Sequence, residues 1–434
     1  MIVGLQEELR FLERHYAKDG NQILVVYGTR GVGKNSLIRE FVKGKDCTSY
    51  VARACSDREQ RFQWSQELKE VGMEVSDYPE YSELFERILP ESVDKKILIL
   101  EEFQYLIKGE GHFFEKLISF LENRKVSRPV LVVLLSSATG WVENSMVSKI
   151  GGLAIYINGF LKVKERSFSE MHRLFPEYSM QDCILNYAVL GGIPGLWKSF
   201  DKELSVKENI IQNILIKESR LHEEMSVYMA EELREPAVYN TILATIASGI
   251  TKLNDIYRHT GFPRAKISVY LKNLMELDFI EKIYAGVYRI SNPYIKFYFR
   301  FIFPNKTLLT KKNAEEFYGV KIEPFLEEYS EEAYSAVCRQ MFAEDLPEGF
   351  EVSEWVGKDY KIAIVGVDEN CRRLVAACSY SRMMTAEDCK QLLTSARKAK
   401  IEVDRVILFS EKGFAEELKL AENEEKVELR SLCD

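Results

Sequence analysis

Glycines and a lysine follow one another at a spacing suited to binding phosphate in "GTRGVGKN", residues 28–35. The pattern G-x-x-x-x-G-K-[ST] is met from Gly28 through Gly33 and Lys34, but Asn35 stands where a Ser or Thr would hold magnesium. The glycines let the backbone wrap closely around a phosphate, and Lys34 can reach the β- and γ-phosphates of a nucleoside triphosphate. We expect the nucleotide to contact Gly28, Thr29, Arg30, Gly31, Val32, Gly33, Lys34, Asn35 and Ser36.

The segments on either side of this loop are those that such a loop needs. "QILVVYG" (22–28) is a short apolar run typical of a buried parallel strand, and "KNSLIREFVKG" (34–44) has the apolar spacing of a helix that stops at Gly44. The loop would then lie at a helix N-terminus, where backbone N–H groups and the helix dipole attract phosphate. The alternative is a glycine-rich turn that matches the pattern by chance. Such a turn would not need a strand before it and a helix after it.

Two carboxylates follow the apolar run Ile97–Leu100, in "KKILILEEFQYLI" (95–107). In the usual arrangement an Asp orients magnesium through water, and a Glu after it polarises the attacking water. Here Glu101 takes the first position and Glu102 the second, so we expect both to be catalytic, with Asn35 and Glu101 as magnesium ligands. The longer Glu101 must bend back or the ion must shift, because magnesium tolerates little deviation from octahedral geometry.

A third apolar run, in "RPVLVVLLSSATGWVENSM" (128–146), ends in Ser136 and Ser137. In ATPases with a phosphate-binding loop of this kind, polar residues at that strand end sense the γ-phosphate. Both serines are therefore candidate sensors. The alternative is a strand-end serine that makes a turn.

Length and composition indicate a multidomain globular protein. The chain has 434 residues, of which 46% are hydrophobic and 29% charged, with a net charge of −8. Eight dispersed cysteines without a C-x-x-C pair favour reduced thiols in a cytoplasmic protein. The N-terminus is not typical of a signal peptide, and no apolar run approaches the roughly 20 residues that span a bilayer.

Residues 233–305 have the pattern of a winged helix-turn-helix. Helices are predicted over 238–249, 251–261 and 263–280, and "FIEKIYAGVYRIS" (279–291) alternates around a glycine as a hairpin does. In the third helix the apolar residues are expected to face inward. They are Ile267, Val269, Leu271, Leu274 and Leu277.

Local charge favours contact with double-stranded DNA at this place. Residues 250–312 hold twelve Lys or Arg against four Asp or Glu, a local charge of +8. The third helix carries Arg264, Lys266, Ser268 and Lys272, which could contact DNA, since the N-terminal end of such a helix enters the major groove. A winged helix can also bind protein, with the lysines as a solvated face.

Several stretches together resemble a family of archaeal and bacterial P-loop ATPases of the AAA+/STAND group. They are "VGLQEELRFLE", "YGTRGVGKNSLIREF", "ILILEEFQYL", "YAVLGGIPGLWKSFD" (187–201), "EELREPAVYNTIL" (231–243) and "PRAKISVYLKNLMELDFIEK" (263–282). The resemblance implies an α/β fold: a P-loop ATPase parallel sheet with a helical lid, then a winged helix-turn-helix, then a small α/β endonuclease-like domain. The ATPase core would then span 1–160, the helical lid 161–232, the winged helix-turn-helix 233–305 and the endonuclease-like domain 306–434. It also implies ATP and magnesium as ligands and association with DNA. An oligomer is possible. Within the lid region, residues 175–200 are predicted to form a helix, a Gly-Gly turn and a second helix.

The departures from this family concern the γ-phosphate. Family members usually carry Thr where this chain has Asn35, Asp-Glu where it has Glu101-Glu102, and often an arginine where "IYINGF" (155–160) has none. Such an arginine would stabilise charge in the transition state. Arg234 is an alternative arginine. These changes predict that ATP binding matters more than turnover.

The last third is predicted to be an α/β unit, with two strands within 351–384 joined by the turn "DEN", a helix over 385–400 and a strand over 404–410. It resembles the family's restriction-endonuclease-like domain without its catalytic residues. Such domains bind magnesium with an acidic residue on one strand and Glu-x-Lys on the next. Here those positions are Ala363 and Ala377-Cys378-Ser379, so we expect no DNA cleavage. The sequence therefore predicts a DNA-associated regulatory ATPase with weak or absent hydrolysis. The alternative is a non-catalytic scaffold whose winged helix and C-terminal domain bind a protein partner.

Overall fold

The computed structural model describes residues 4–89, 95–109, 112–123, 129–222, 224, 235–284, 286–344, 346, 351–357, 360–367, 373–422 and 427–433. These residues form two compact units. The first contains the described residues of Met1–Glu165 and Val269–Phe279, and the second those of Arg166–Met229, Glu235–Ser268 and Ile280–Asp434. None of the helices in these ranges is long and apolar enough to cross a membrane.

A five-stranded parallel sheet forms the centre of the first unit. Its strands are β1 (Gln22–Tyr27), β2 (Cys47–Val51), β3 (Lys96–Glu101), β4 (Val130–Ser136) and β5 (Gly159–Lys162), in the order β2-β3-β4-β1-β5. Tyr27 pairs with Ser136, and Glu101 with Leu135, so the carboxyl ends of β1, β3 and β4 meet at one edge. The predicted α/β fold with a parallel sheet is confirmed.

Helices cover both faces of this sheet, which explains its apolar strands. Ile23 and Val25 pack into one core cluster and Leu24 and Val26 into another, because alternate residues of a strand face opposite ways. The helices are α1 (Gln6–Tyr16), α2 (Lys34–Phe41), α3 (Asp57–Glu70), α4 (Tyr81–Ile88), α5 (Gln104–Lys108), α6 (Phe113–Asn123), α7 (Thr139–Trp141) and α8 (Val147–Ile150). A π-helical turn spans Val142–Met146 and a 3₁₀ helix Gly151–Tyr156.

The second unit begins with short helices. They are α9 (Phe168–His172), α10 (Met180–Leu190), α11 (Pro194–Trp197) and α12 (Val206–Ile210), followed by a π-helical turn at Ile211–Leu215. The predicted helix, glycine turn and second helix within 175–200 are confirmed as α10, Gly191 and α11. Gly191 has φ 62°, and a Cβ there would lie 2.9 Å from the Pro293 ring. The role of these helices as a lid stays a prediction.

Three helices and a hairpin follow in the predicted order. They are α13 (Pro236–Ala247), α14 (Leu253–Thr260), α15 (Arg264–Glu276), β6 (Ile280–Tyr284) and β7 (Val287–Ile290). In α15 the side chains of Ile267, Leu271 and Leu274 are buried, as predicted. The prediction that Val269 faces inward is wrong, since it is 57% exposed. Position 269 is two residues from both 267 and 271, which places it on the opposite side of a helix.

The chain then passes through helices into a mixed sheet. The helices are α16 (Pro293–Phe297), α17 (Lys306–Lys311), α18 (Ala314–Lys321) and α19 (Leu326–Glu344), with π-helical or 3₁₀ turns at Tyr298–Ile302, Phe303–Asn305 and Glu323–Phe325. The sheet consists of β8 (Glu351–Val356), β9 (Lys361–Val367), β10 (Arg373–Ser379), β11 (Arg405–Ser410) and β12 (Val427–Arg430), in the order β12-β11-β10-β9-β8. Two further helices belong to it, α20 (Ala386–Lys398) and α21 (Glu416–Glu422).

This C-terminal sheet contains more strands than the sequence pattern indicated. β8, β9 and β10 pair antiparallel, whereas β10, β11 and β12 pair parallel. The predicted helix 385–400 and strand 404–410 are present as α20 and β11. Residues 351–384 contain three strands where two were predicted, and β12 is a further strand that the pattern did not predict. The turn "DEN" (368–370) lies outside the described residues. A separate α/β domain at the end of the chain is therefore confirmed.

Candidate nucleotide-binding site

The predicted phosphate-binding loop lies between β1 and α2, as the sequence pattern required. Lys34 is the first residue of α2, and Gly33 before it has φ 112°, a conformation that favours glycine. A Cβ on Gly28 would lie 2.2 Å from the Val163 carbonyl oxygen. Both glycines are therefore needed for the path of the loop.

The Lys34 ammonium is turned onto its own loop. Lys34 is 7% exposed, and Nζ donates hydrogen bonds of 2.5 Å to the Gly28 carbonyl and 3.2 Å to the Thr29 carbonyl. Burial lowers the pKa of Lys34 to about 8, although Glu102 and Glu101 act in the opposite direction. A phosphate offers a stronger acceptor than these carbonyls, because its oxygens carry charge.

The two residues that depart from the family pattern contact each other. Asn35 Nδ2 donates a 3.1 Å hydrogen bond to Glu101 Oε2. Burial raises the pKa of Glu101, and the hydrogen bond from Asn35 opposes this increase. The neutral amide thus faces the carboxylate as a donor, at the place where both were predicted to bind magnesium.

Glu102 is held by three donors on neighbouring segments. Its Oε2 accepts hydrogen bonds from the Ser137 backbone N–H (3.1 Å), the Ser137 hydroxyl (2.8 Å) and Gln104 Nε2 (2.7 Å). Glu102 also has φ 51°, which is uncommon for a residue other than glycine. The residue predicted to polarise water is therefore fixed beside one of the predicted sensors.

The second predicted sensor takes part in the same network from inside the protein. Ser136 is fully buried, and its hydroxyl donates a 2.8 Å hydrogen bond to Gln104 Oε1. It also accepts one from the Ala138 backbone N–H. Gln104 therefore links Ser136 to Glu102. No sequence pattern points to Gln104, because a glutamine two residues after the carboxylates belongs to no recognised motif.

Asp278, which the sequence analysis did not single out, contacts the loop from a distant part of the first unit. Thr29 Oγ1 donates a 3.1 Å hydrogen bond to Asp278 Oδ2, and Asp278 adopts φ 61° directly after α15. Nearby, Ser145 donates a 3.1 Å hydrogen bond to Glu276, and a Cβ on Gly140 would lie 2.1 Å from the Met275 carbonyl. No local sequence signal could have joined residues 249 positions apart.

The alternative arginine that the sequence suggested, Arg234, lies outside the described residues. In the "IYINGF" segment, Asn158 Oδ1 accepts a 2.7 Å hydrogen bond from the Ile23 backbone N–H, which ties β5 to β1. The side chain of Asn158 is therefore structural.

The residues predicted to contact DNA share helix α15 but differ in their surroundings. Arg264 and Lys272 are exposed, whereas Lys266 is half-buried and lies 3.4 Å from Glu235. Ser268 is exposed and donates its hydroxyl hydrogen bond to the Arg264 carbonyl. Lys272 lies 4.0 Å from Glu276. Three of the four side chains thus remain at the surface of one helix.

The C-terminal positions that lack nuclease residues line one cavity in the second unit. Ala363, Ala377 and Cys378 lie in its wall, and its volume is about 1050 Å³. Glu331 also lines this cavity, but its carboxylate accepts hydrogen bonds from the backbone N–H groups of Tyr380 and Ser381. In the described part of the chain, no group of three or more His, Cys, Asp or Glu side chains could hold a metal ion.

Solved structures that match this chain include a Walker-type ATPase and an ORC2 protein. The Walker-type ATPase PABY2304 of Pyrococcus abyssi matches with a TM-score of 0.48 and 19% identity, covering 69% of this chain and 96% of that one. The ORC2 protein of Aeropyrum pernix in its ADPNP–ADP complexes matches with a TM-score of 0.42 and 13% identity, covering 71% and 95%.

Two curated relatives come from Methanocaldococcus jannaschii. An uncharacterized protein is 25% identical over 401 residues, or 86% of each chain. An uncharacterized ATP-binding protein is 42% identical over 45 residues, which are 10% of this chain and 76% of that one.

Family models match two parts of the chain. Residues 298–392 match a family described as archaeal and bacterial proteins of unknown function. Residues 6–200 match an ATPase domain predominantly from Archaea, and they contain the loop, Lys34 and the strand ends described above. This part of the chain, residues 6–200, is therefore similar to an ATPase domain found predominantly in Archaea.

Proposed function

We propose that this protein is a DNA-associated regulatory ATPase of the AAA+/STAND type that binds ATP and hydrolyses it slowly or not at all. The observation that carries the proposal is the position of Glu102. Its Oε2 accepts three hydrogen bonds, from two groups of Ser137 and from Gln104. An oxygen engaged by three donors has no acceptor position left with which to orient an attacking water, so hydrolysis through Oε2 is disfavoured.

Binding of ATP is supported by the parts of the loop that contact phosphate. Gly28 and Gly33 allow the close turn, and α2 presents its N-terminus to the loop. Lys34 lies within the loop, where its ammonium can exchange carbonyl partners for phosphate oxygens. None of these features depends on the residue at position 35.

The test measures ATP affinity and turnover of the full chain, with Lys34→Ala as the control. We expect the wild type to bind ATP with a turnover far below the ~1–10 s⁻¹ of ordinary enzymes. Lys34→Ala should lose most of the affinity. Turnover at ordinary rates would overturn the slow-site proposal, and equal binding by both proteins would show that the loop is not the site.

Contact with double-stranded DNA is supported by the charge and exposure of α15. Arg264 and Lys272 are exposed on one helix, and Ser268 between them is exposed as well. Such residues contact phosphates, and affinity then falls steeply as salt rises. We expect Arg264→Ala with Lys272→Ala to weaken binding and to reduce the salt slope by about 2. A Lys18→Ala variant, distant in sequence, serves as the control.

The second candidate function is a protein-binding scaffold. It is favoured by Arg289 on the hairpin, whose charge is engaged within the protein and does not serve DNA phosphates. Its guanidinium lies 2.7 Å from Glu354 and 2.8 Å from Glu281, so it is occupied by carboxylates within the second unit. Val269 on α15 is also 57% exposed, which suits an apolar partner. Absence of binding to any duplex at low salt would favour this candidate.

Inactivity of the nuclease-like domain is part of the proposal. Ala363 and Ala377 carry no metal-binding group, and Glu331 at the same cavity is bonded to backbone N–H groups. We expect no cleavage of duplex or single-stranded DNA with Mg²⁺ or Mn²⁺. Metal-dependent cleavage that survives Lys34→Ala would contradict this.

A further inference from the structure

We infer that the nucleotide site binds ATP without a divalent cation, with the Asn35–Glu101 hydrogen bond standing where magnesium would bridge protein and phosphate. The inference rests on the proposed binding of ATP and specifies its ionic form. Both residues depart from the family pattern, and they meet at 3.1 Å as amide donor and carboxylate acceptor.

The atoms presented at this place do not suit magnesium. Mg²⁺ takes oxygen ligands at about 2.0–2.1 Å in near-octahedral geometry. Asn35 presents an N–H group toward Glu101, and an amide nitrogen that donates a hydrogen bond has no lone pair for a metal.

Rotating the amide would remove a favourable contact before any ion could bind. With Oδ1 turned inward, two acceptors would face each other, a contact that is unfavourable until a cation lies between them. The hydrogen bond to the carboxylate would be lost at the same time, and charge-assisted bonds of this kind are stronger than neutral ones. The pair therefore opposes the arrangement that magnesium needs.

The loop has its own means of neutralising a triphosphate. Lys34 lies at the start of α2, where the helix dipole also favours negative charge. Arg30 is close enough to lower the pKa of Lys34 by charge repulsion, so two cations share the loop. Together with the backbone N–H groups they can hold phosphate oxygens without an ion between them.

The decisive measurement is the ATP affinity of the wild type by calorimetry, once with EDTA and once with excess Mg²⁺. We expect the two dissociation constants to agree within about threefold. Binding that requires Mg²⁺ would overturn the inference and leave the proposed function intact. Absence of binding under both conditions would instead overturn the proposed function.

The double variant Asn35→Thr with Glu101→Asp tests whether the amide–carboxylate pair is what excludes the ion. It supplies a hydroxyl ligand and a shorter carboxylate and removes the amide–carboxylate pair. We expect Mg²⁺ to raise its ATP affinity by at least about tenfold over its own affinity in EDTA. If Mg²⁺ has the same small effect on both proteins, the pair is not what excludes the ion. Thermal unfolding with and without ATP would show that the variant is folded.

Discussion

The Ser137 hydroxyl lies 2.8 Å from Glu102 Oε2, and the backbone N–H of the same serine lies 3.1 Å from that oxygen. A residue at the end of β4 thereby holds a residue just after β3, since parallel neighbours end at the same edge of the sheet. The contact connects a predicted sensor to the predicted base and makes their relationship testable.

Removing the Ser137 hydroxyl should speed hydrolysis. In Ser137→Ala, Glu102 keeps the backbone donor and Gln104 but loses one of its three hydrogen bonds, so Oε2 can accept a hydrogen bond from the attacking water instead. We expect kcat for ATP hydrolysis to rise about 3–10-fold with little change in ATP affinity. Steady-state phosphate release checks this. Ser148→Ala, an exposed serine whose hydroxyl bonds to the Ser145 carbonyl, should behave as the wild type.

Neutralising Asp278 should strengthen ATP binding. Its carboxylate accepts the Thr29 hydrogen bond at the phosphate-binding loop, and a negative charge there repels a triphosphate. Asp278→Asn keeps an acceptor oxygen and removes the charge, so we expect affinity to rise about 2–5-fold at low salt and less at high salt. Glu276→Gln, which changes the neighbouring carboxylate bonded to Ser145, is the matched control and should have no effect. Equal effects in the two variants would argue against a specific role of Asp278.

ATP affinity should depend on pH through Lys34. Burial lowers the pKa of Lys34 to about 8, so its charge in the free protein is present below that pH and lost above it. A bound phosphate favours the charged form, and affinity should therefore be flat below about pH 8 and fall by up to about tenfold per unit above it. Titrations between pH 6.5 and 9.5, values chosen roughly around that pKa, would show the decline. Lys34→Arg should bind ATP more weakly but should not show this decline with pH, because arginine stays charged.

The ion-pair network around Arg289 should make stability depend on acid pH. Arg289 at 2.7 Å, with Lys361 and Arg339, holds the pKa of Glu354 at about 2. The folded-state pKa lies below the unfolded value, so this stabilisation is present above about pH 4.5 and is lost as the pH falls from there toward 2. Glu354→Gln should lower the free energy of unfolding at neutral pH by about 3 kcal/mol, and the difference should shrink in acid.

Urea unfolding at several pH values provides the measurement for Glu354. The control is Glu281→Gln, which removes another carboxylate partner of Arg289. The Glu281 side chain is 46% exposed against 18% for Glu354, so we expect a change of at most about 1 kcal/mol. A Glu354→Gln difference that stays constant down to pH 2 would show that lost packing, and not charge, is responsible.

Much of the backbone could be predicted from the sequence because its signals are local. The apolar run before Gly28, the helical spacing after Lys34 and the run before Glu101 each depend on residues close along the chain. The helices around Gly191 and the order of α13, α14, α15 and the hairpin were predictable for the same reason. Val269 differs from its prediction because an apolar residue type alone does not define a core position. The helical period turns residue 269 away from the buried Ile267 and Leu271.

The sequence by itself determined which residues are able to bind phosphate and which family of ATPase domains the first 200 residues resemble. Only the tertiary structure decided what those residues contact. The pairing of Asn35 with Glu101, of Ser137 with Glu102 and of Thr29 with Asp278 joins segments 66, 35 and 249 residues apart. Such contacts arise from strand order and from packing between distant segments, and neither is encoded in any local pattern.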